Sequence, residues 1–242
     1  MTIGGLQKLT LIDYPGKLAC TVFLIGCNFR CPWCYSAELV LPEKIKKQLK
    51  ISKKDFFDFL KQRKDKLESV VICGGEPTIH KGLPNFIKKI KKLGFLVKLD
   101  TSGSNPKMLK ELITKHLLDY IAMDIKAPLN RGFDPTLRGR TPLCQNKITK
   151  YEQATGVKVN LKDIKKSIDI IKNSGIDYQF RTTIVPTIHF KKDILQIAKE
   201  IFSFEKYHLQ NFRPEKTINP KFEKIKPYSD KKFLEIQNVK AI

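Results

Sequence analysis

The amino-acid sequence predicts an α/β fold, namely a partial (β/α)6 TIM-like barrel of parallel strands with helices on the outside. Short apolar runs alternate along the chain with longer amphipathic runs, and no hairpin signal joins two core strands. Parallel strands joined by right-handed crossovers satisfy this alternation. Six strands are too few for a closed eight-stranded barrel. A doubly wound sheet stays open as the alternative, because periodicity does not separate the two architectures.

Each predicted strand is short and apolar, and each predicted helix carries one apolar face. The strands span residues 18–25, 69–73, 95–99, 119–123, 178–185 and 207–212. The helices span residues 52–67, 83–93, 106–117, 161–173, 192–204 and 229 to about 238. Local signals bound several of these helices. Ser52 is a capping residue, Pro106 begins a helix, and Gly94 and Gly175 follow helix ends.

The length and composition favour one domain. At 242 residues and 41% hydrophobic composition, the chain can bury a sizeable core. We expect a single domain over residues 1–242, with a basic insertion at about 129–150 and a C-terminal tail from about 213. The insertion carries Arg131, Arg138 and Arg140, and either recognises a partner or forms a surface loop.

The net charge of +22 is the outlier of the composition, and most of it is lysine spread along helices. A basic surface can attract nucleic acid, an acidic protein or an anionic membrane. Because the lysines are dispersed, a solvated surface explains them better and a nucleic-acid partner is not expected. No apolar run approaches the roughly 20 residues that span a bilayer, and the start lacks a signal-peptide pattern. We therefore expect a cytoplasmic protein with no membrane partner.

Three of the six cysteines lie on one short segment, Cys27-Asn-Phe-Arg-Cys31-Pro-Trp-Cys34. In a reducing compartment, clustered cysteines indicate metal or redox chemistry more often than disulfides. Three thiolates in this C-x3-C-x2-C spacing can bind three irons of a [4Fe–4S] cluster and leave the fourth iron open. Structural zinc usually takes four ligands from C-x2-C pairs. His80 or Cys73 could supply a fourth ligand, so zinc stays an alternative.

Polar clusters follow three of the predicted strands. Gly74-Gly75-Glu76 follows the second, Asp100-Thr-Ser-Gly the third, and Asp124 with Lys126 the fourth. Paired glycines allow close backbone approach, and a carboxylate can accept hydrogen bonds from an ammonium group. Since active sites of parallel α/β folds lie at the carboxyl ends of the strands, we expect the functional site there.

The cysteine loop after the first strand and the Gly74-Gly75-Glu76-Pro77-Thr78 segment after the second resemble the radical SAM superfamily. This resemblance implies a [4Fe–4S] cluster on Cys27, Cys31 and Cys34, with S-adenosylmethionine (SAM) at the open iron. It also implies that the glycine-rich segment holds the amino group of the methionine moiety.

More narrowly, residues 5–16, 100–103, 123–128, 151–158 and 180–186 resemble the glycyl-radical-enzyme activating enzymes. Most similar is the family of activating proteins of anaerobic ribonucleoside-triphosphate reductase. The resemblance implies a radical SAM oxidoreductase that generates a glycyl radical on a partner enzyme, with anaerobic ribonucleotide reductase as a candidate. A flavodoxin or ferredoxin would donate the electron.

The same resemblance implies roles for residues at the strand ends. Asp100 and Thr101 lie beside the SAM ribose and carboxylate, and Asp100 with Asp124 holds a monovalent cation. Lys126 and Arg181 contact the carboxylate or the ribose. The expected SAM-binding residues are Tyr35, Gly74, Gly75, Glu76, Asp100, Thr101, Ser102, Asp124, Lys126 and Arg181.

The chain departs from the family pattern in three places. Tyr35-Ser-Ala-Glu-Leu39 replaces the usual His-Asn-Pro-Glu-Leu, so Tyr35 or Trp33 would pack near adenine and Ser36 would replace only part of an asparagine's hydrogen bonding. The insertion between 129 and 150 is longer than usual and can alter partner choice. Thr187 stands where relatives commonly have glycine.

Three alternatives stay open. The first is a radical SAM reaction on a small molecule or an RNA base, and the second is activation of a different glycyl radical enzyme. The third is an iron–sulfur electron carrier or a zinc adaptor, which would not bind SAM.

Among the other residues, Cys20 and Cys73 are expected to be small buried side chains, Cys144 is either reactive or inert, and His189 is expected to be structural.

Overall fold

The computed structural model describes residues 1–130, 148–202 and 205–239. Within these ranges the strands are β1 (Ile3–Thr10), β2 (Ala19–Leu24), β3 (Ser69–Gly74), β4 (Leu96–Thr101), β5 (Tyr120–Asp124), β6 (Asp177–Ile184) and β7 (Tyr207–Asn211). They form one seven-stranded sheet in chain order. β1 runs antiparallel to β2, and each strand from β3 onward is parallel to the strand before it.

The strand order decides between the two architectures that the sequence left open. A doubly wound sheet reverses its order at a switch point and carries helices on both faces. Here the order does not reverse, so right-handed crossovers place the connecting helices on one face. The predicted partial barrel of parallel strands is therefore confirmed, with β1 added at one edge.

The helices begin and end at recognisable local signals. Ser52 caps the helix Lys53–Gln62 by accepting a hydrogen bond from the Asp55 N–H at 3.0 Å, as predicted. Asn105 caps the helix Pro106–Thr114. In the described ranges no helix is both long enough and apolar enough to cross a membrane. The helices are α1 (Ala37–Val40), α2 (Pro42–Ile45), α3 (Lys53–Gln62), α4 (Leu83–Lys92), α5 (Pro106–Thr114), α6 (Lys150–Thr155), α7 (Leu161–Lys172), α8 (Lys191–Ile201) and α9 (Asp230–Val239).

The structure differs from the sequence prediction at a few elements. β1 was not predicted, because Gly4 and Gly5 interrupt the alternation that marks a strand. The short helices α1, α2 and α6 were also missed, and α3 ends at Gln62, five residues before the predicted end. Residues 131–147, with Arg131, Arg138, Arg140 and Cys144, lie outside the described residues.

The two faces of the sheet have different environments, because alternate residues of a strand point to opposite sides. On β4, Val97 and Leu99 belong to the apolar core beneath the helices. Asp100 points the other way and lines a cleft inside the barrel. Each fully buried aliphatic side chain of the outer face stabilises the fold by about 1.5–3 kcal/mol. The sheet is thus anchored from outside, while its inner face is free to carry polar groups.

Candidate active site at the carboxyl ends of the strands

The cysteine loop directly follows β2 and is held in shape by Arg30. The Arg30 guanidinium donates hydrogen bonds to the carbonyl oxygens of Cys27 and Phe29, both at 2.7 Å. The Arg30 N–H donates to the carbonyl oxygen of Thr155 at 2.7 Å, which ties the loop to the end of α6. The Phe29 N–H donates to the Cys27 sulfur at 3.3 Å. These hydrogen bonds hold the loop in shape and join it to α6.

The thiols of Cys27, Cys31 and Cys34 all line one cleft. Burial raises the pKa of Cys27 to about 11 and that of Cys31 to about 12, and it also raises the pKa of Cys34. The free thiols are therefore protonated at neutral pH. Because only thiolates bind metal, loading this site must release protons.

The donor set fits an iron–sulfur cluster. Among the described residues, no three His, Cys, Asp or Glu side chains are arranged to bind a single metal ion. Three thiolates of a [4Fe–4S] cluster each bind a different iron and do not converge on one point, whereas zinc gathers all its ligands at about 2.0–2.3 Å. Cys20 is fully buried in the outer core, as predicted. Cys73, which was expected to be buried, is partly exposed in the cleft wall, because β3 ends there.

The glycines of the Gly74-Gly75-Glu76 segment allow β3 to approach the chain that follows β2. Gly74 has a φ of +115°, and a Cβ on it would clash with the backbone of Leu24. A Cβ on Gly75 would clash with the carbonyl group of Gly26. The Glu76 N–H then donates to the Gly26 carbonyl oxygen at 2.8 Å. These glycines therefore bring the segment against the base of the cysteine loop.

The Glu76 carboxylate joins the ends of β3 and β4. It is 1% exposed. Its Oε1 accepts from the Thr78 hydroxyl at 2.5 Å and the Thr101 hydroxyl at 2.7 Å. Its Oε2 accepts from the Ser102 N–H at 2.6 Å. A charged carboxylate bound by several donors is held rigidly, so Glu76 fixes the position of the Asp-Thr-Ser-Gly segment.

Five charged side chains alternate in sign across β4, β5 and β6, and we call them the charge ladder. Lys98 binds Asp100 Oδ1 at 2.7 Å, and Arg181 binds Asp100 Oδ2 at 3.0 Å. Arg181 also binds Asp124 Oδ1 at 2.8 Å, and Lys126 binds Asp124 Oδ2 at 3.0 Å. The parallel register sets Asp124 beside Arg181, so the central pair follows from strand pairing.

The charge ladder carries three cations and two carboxylates, a net charge of +1. Burial alone would raise the pKa of Asp124, but the charges of Arg181 and Lys126 outweigh it and hold this pKa well below its ordinary value. Burial opposes the charged forms of Arg181 and Lys126 as well, and the neighbouring acids reverse that effect and raise both pKa values. Asp124, Lys126 and Arg181 are therefore all charged at neutral pH.

His189 links the ends of β5 and β6 to the cysteine loop. Its Nδ1 accepts from the Val185 N–H at 3.0 Å, so its Nε2 donates to the Lys126 carbonyl oxygen at 2.8 Å. Its ring meets the Trp33 ring edge-to-face, with centroids 5.9 Å apart. Burial lowers the pKa of His189 to about 4, so the ring is neutral. Both ring nitrogens face backbone groups, which agrees with the predicted structural role.

The C-terminal segment packs on the cysteine loop. The Ile218 N–H donates to the Cys34 carbonyl oxygen and the Asn219 N–H to the Pro32 carbonyl oxygen, both at 3.0 Å. The hydroxyl of Tyr35 accepts from the Arg213 N–H at 2.8 Å, and the Tyr35 ring stacks on Phe212. The tail thus supports the part of the loop that carries the third cysteine.

All the residues predicted to bind a metal or SAM line the same cleft. The sequence analysis missed Lys98 and the contacts of the predicted tail with the cysteine loop. Lys98 lies two residues before Asp100 on the same face of a strand, and this spacing could have revealed it. The tail acts through backbone N–H groups, for which the sequence holds no signal.

Known protein families and proteins match most of this chain. The family model described as the Radical SAM superfamily matches residues 21–201. A protein of Methanocaldococcus jannaschii named as a glycyl-radical enzyme activating enzyme is 32% identical, with 92% of this chain and 85% of the relative covered. A second protein so named, from the same organism, is 30% identical over 51% of this chain and 45% of the relative.

Solved structures share the fold at low sequence identity. SuiB of Streptococcus suis bound to S-adenosylmethionine has a TM-score of 0.55 and 19% identity, covering 90% of this chain and 47% of that chain. TYW1 with a lysine-pyruvate adduct has a TM-score of 0.56 and 17% identity, covering 92% of this chain and 72% of that one. The chain spans less than half of SuiB, and these likenesses concern the fold alone.

Proposed function

We propose that this chain, which belongs to the radical SAM superfamily, reductively cleaves SAM at a [4Fe–4S] cluster and generates a glycyl radical on a partner enzyme. One observation carries the proposal: the thiols of Cys27, Cys31 and Cys34 line the same cleft as the strand-end acids and bases. The names of the two relatives from Methanocaldococcus jannaschii support the glycyl-radical part.

In this proposal, Cys27, Cys31 and Cys34 would hold three irons of the cluster and leave the fourth open, and SAM would bind there. When bound, the cluster and SAM supply a one-electron reduction of the sulfonium and a radical that abstracts a hydrogen atom. The chain itself binds and orients these groups. Trp33, which is buried, and the tail, which packs on the loop, would help to keep water from the reacting atoms.

The amino acid moiety of SAM would lie between Glu76 and the cationic end of the charge ladder. Glu76 Oε2 accepts one hydrogen bond among the described residues, from the Ser102 N–H, and has a second lone pair for an ammonium group. Lys126 and Arg181 line the cleft and carry more N–H groups than their contacts with Asp100 and Asp124 use. We assign the carboxylate to these two cations.

The nucleoside moiety of SAM would lie along the ends of β4 and β5. Asp100 and Thr101 would contact the ribose, with Gly74, Gly75 and Ser102 in the adjoining wall of the cleft. Tyr35, 37% exposed, would offer its ring to adenine while its hydroxyl stays bound to the Arg213 N–H. A monovalent cation near Asp100 and Asp124 stays a prediction, since it would share two carboxylates that already accept from Lys98, Lys126 and Arg181.

The hydrogen atom would come from the Cα of a glycine in a large partner enzyme, and the motif resemblance makes anaerobic ribonucleotide reductase the first partner to test. A flavodoxin or ferredoxin would supply the electron. The net charge of +22 suits an acidic electron carrier, because complementary charge speeds association.

The direct test is anaerobic reconstitution with iron and sulfide, reduction with dithionite, and an assay for 5′-deoxyadenosine. We expect product from the wild type and none from the Cys27→Ala, Cys31→Ala or Cys34→Ala variants. Cys20→Ala is the matched control, because Cys20 is buried in the outer core, and it should keep full activity. Electron paramagnetic resonance of the candidate partner then detects a glycyl radical.

Each other outcome selects one of the alternatives. A reconstituted cluster that never cleaves SAM would leave an electron carrier, and tight zinc without a cluster would leave an adaptor. Cleavage of SAM without a glycyl radical on any glycyl radical enzyme tested would point to a small-molecule or RNA substrate.

A further inference from the structure

We infer that Lys98, which lies beneath the cleft and not in its wall, gives the proposed SAM site its preference for a ligand with a carboxylate. The inference rests on the proposed function, since it concerns the same cleft. It assigns Lys98 as a positioning residue that acts through Asp100 and Arg181.

Lys98 is placed to act on its neighbours and not on the ligand. Its side chain is 2% exposed and binds Asp100 Oδ1 at 2.7 Å. Asp100, Asp124, Lys126 and Arg181 line the cleft, whereas Lys98 is absent from its lining. Lys98 therefore acts on a ligand in the cleft through its charge and through the positions of Asp100 and Arg181, without lining the cleft itself.

The charge count shows what Lys98 contributes. With Lys98, the ladder has three cations for two carboxylates; without it, two cations face two carboxylates and the net charge is zero. In that neutral ladder, Arg181 would have to neutralise Asp100 alone as well as share Asp124 with Lys126. The surplus charge that attracts an incoming carboxylate would be lost, and charges interact strongly in a buried, low-dielectric site.

Stability alone does not account for a lysine at this position. A buried ion pair contributes little net stability, because the desolvation of both groups offsets their attraction. The same strand position could hold an apolar side chain if Asp100 were absent. The ladder thus carries one more positive charge than it has carboxylates, and the cation that supplies this excess is buried beneath the cleft.

The test compares two ligands that differ at the carboxylate: S-adenosylhomocysteine and its decarboxylated analogue S-adenosyl-3-thiopropylamine. Dissociation constants are measured by anaerobic calorimetry on the reconstituted full chain. We expect Lys98→Met to weaken the binding of S-adenosylhomocysteine about tenfold and the binding of the analogue less than about twofold. Lys98→Arg should return the affinity for S-adenosylhomocysteine to within about threefold of the wild type.

Two further variants separate charge from structure. The double variant Lys98→Met/Asp100→Asn has two cations and one carboxylate, so its net charge is again +1 and no buried acid is left unpaired; the preference for the carboxylate should return. Lys91→Met is the matched control, because it breaks another Lys–Asp pair, with Asp119 at 2.7 Å, whose residues do not line the cleft. It should change neither dissociation constant.

Equal weakening of both ligands by Lys98→Met, or no weakening of either, would overturn the inference. So would a double variant that fails to regain the preference. If the wild type cleaves SAM and these results occur, only the role of Lys98 is wrong. If the wild type binds neither ligand and forms no 5′-deoxyadenosine, the proposed function itself is wrong, and the role of Lys98 with it.

Discussion

On β4, Leu99 is completely buried against the helices, while Asp100, the next residue, points into the barrel and is bound by Lys98 and Arg181. β5 repeats the contrast with Ile121 on the outer side and Asp124 on the inner side. The outer face is held by apolar burial, which is non-directional. The inner face is held by hydrogen-bonded charges, whose geometry is specific. Substitutions on the two faces should therefore have different effects on stability and on SAM affinity.

The largest effect is expected at Arg181, because it serves both ladder carboxylates. Arg181→Met removes the donor to one oxygen of Asp100 and to one oxygen of Asp124. We therefore expect a loss of about 3–5 kcal/mol of unfolding free energy and affinity for SAM reduced at least about 100-fold. Urea unfolding and calorimetry measure the two quantities.

The control for Arg181 is Lys17→Met, which breaks the exposed pair between Lys17 and Glu68. It should change stability by less than about 1 kcal/mol. An Arg181 variant as stable as this control would show that the ladder does not hold the inner face together.

Substitutions on the outer face should lower the stability of the protein without changing its affinity for SAM. Leu99→Ala removes a fully buried side chain and should lower the unfolding free energy by about 2–5 kcal/mol. Affinity for SAM should stay within about twofold of the wild type wherever the protein is folded, since Leu99 lies outside the cleft lining. A large loss of affinity in the folded variant would mean that the two faces are coupled.

The Gly-Gly-Glu segment and the cysteine loop were predictable because each requires particular residue types at fixed spacing. Lys98 was missed because a lysine is expected at the surface, and only its i, i+2 relation to Asp100 marks it as inward-facing. β1 was missed because Gly4 and Gly5 lack the side chains that make a strand pattern. The contacts of Ile218 and Asn219 with the cysteine loop involve backbone groups that every residue except proline carries.

His189 should make the unfolding free energy of the protein depend on pH. Its pKa is lowered to about 4 by burial, against an ordinary value of about 6.5, so the unfolded chain binds the proton more tightly. The contribution of His189 to the unfolding free energy is fully present above about pH 6.5. It falls by about 3 kcal/mol as the pH drops to about 4. We expect His189→Gln to remove this slope.

The unfolding free energies of the wild type and the His189→Gln variant are measured from pH 4 to pH 8. The carboxylates titrate in both proteins, so the difference between the two curves reports the titration of His189 alone. Parallel curves would show that His189 is not held neutral by its contacts with Val185 and Lys126.

The smallest effect is expected at Tyr35, where the tail meets the cysteine loop. Tyr35→Phe removes the acceptor of the Arg213 N–H but keeps the ring on Phe212, so we expect a loss of about 0.5–1.5 kcal/mol. SAM affinity should change by less than about threefold in Tyr35→Phe and by more in Tyr35→Ala. Equal losses of affinity in the two variants would exclude a contact between the ring and adenine.

The most direct test of the central claim is the anaerobic crystal structure of the reconstituted protein with SAM bound. We expect a four-iron cluster on Cys27, Cys31 and Cys34, with the SAM carboxylate within hydrogen-bond distance of Lys126 or Arg181. A cluster held by a different set of residues, or a SAM carboxylate directed away from the charge ladder, would contradict it.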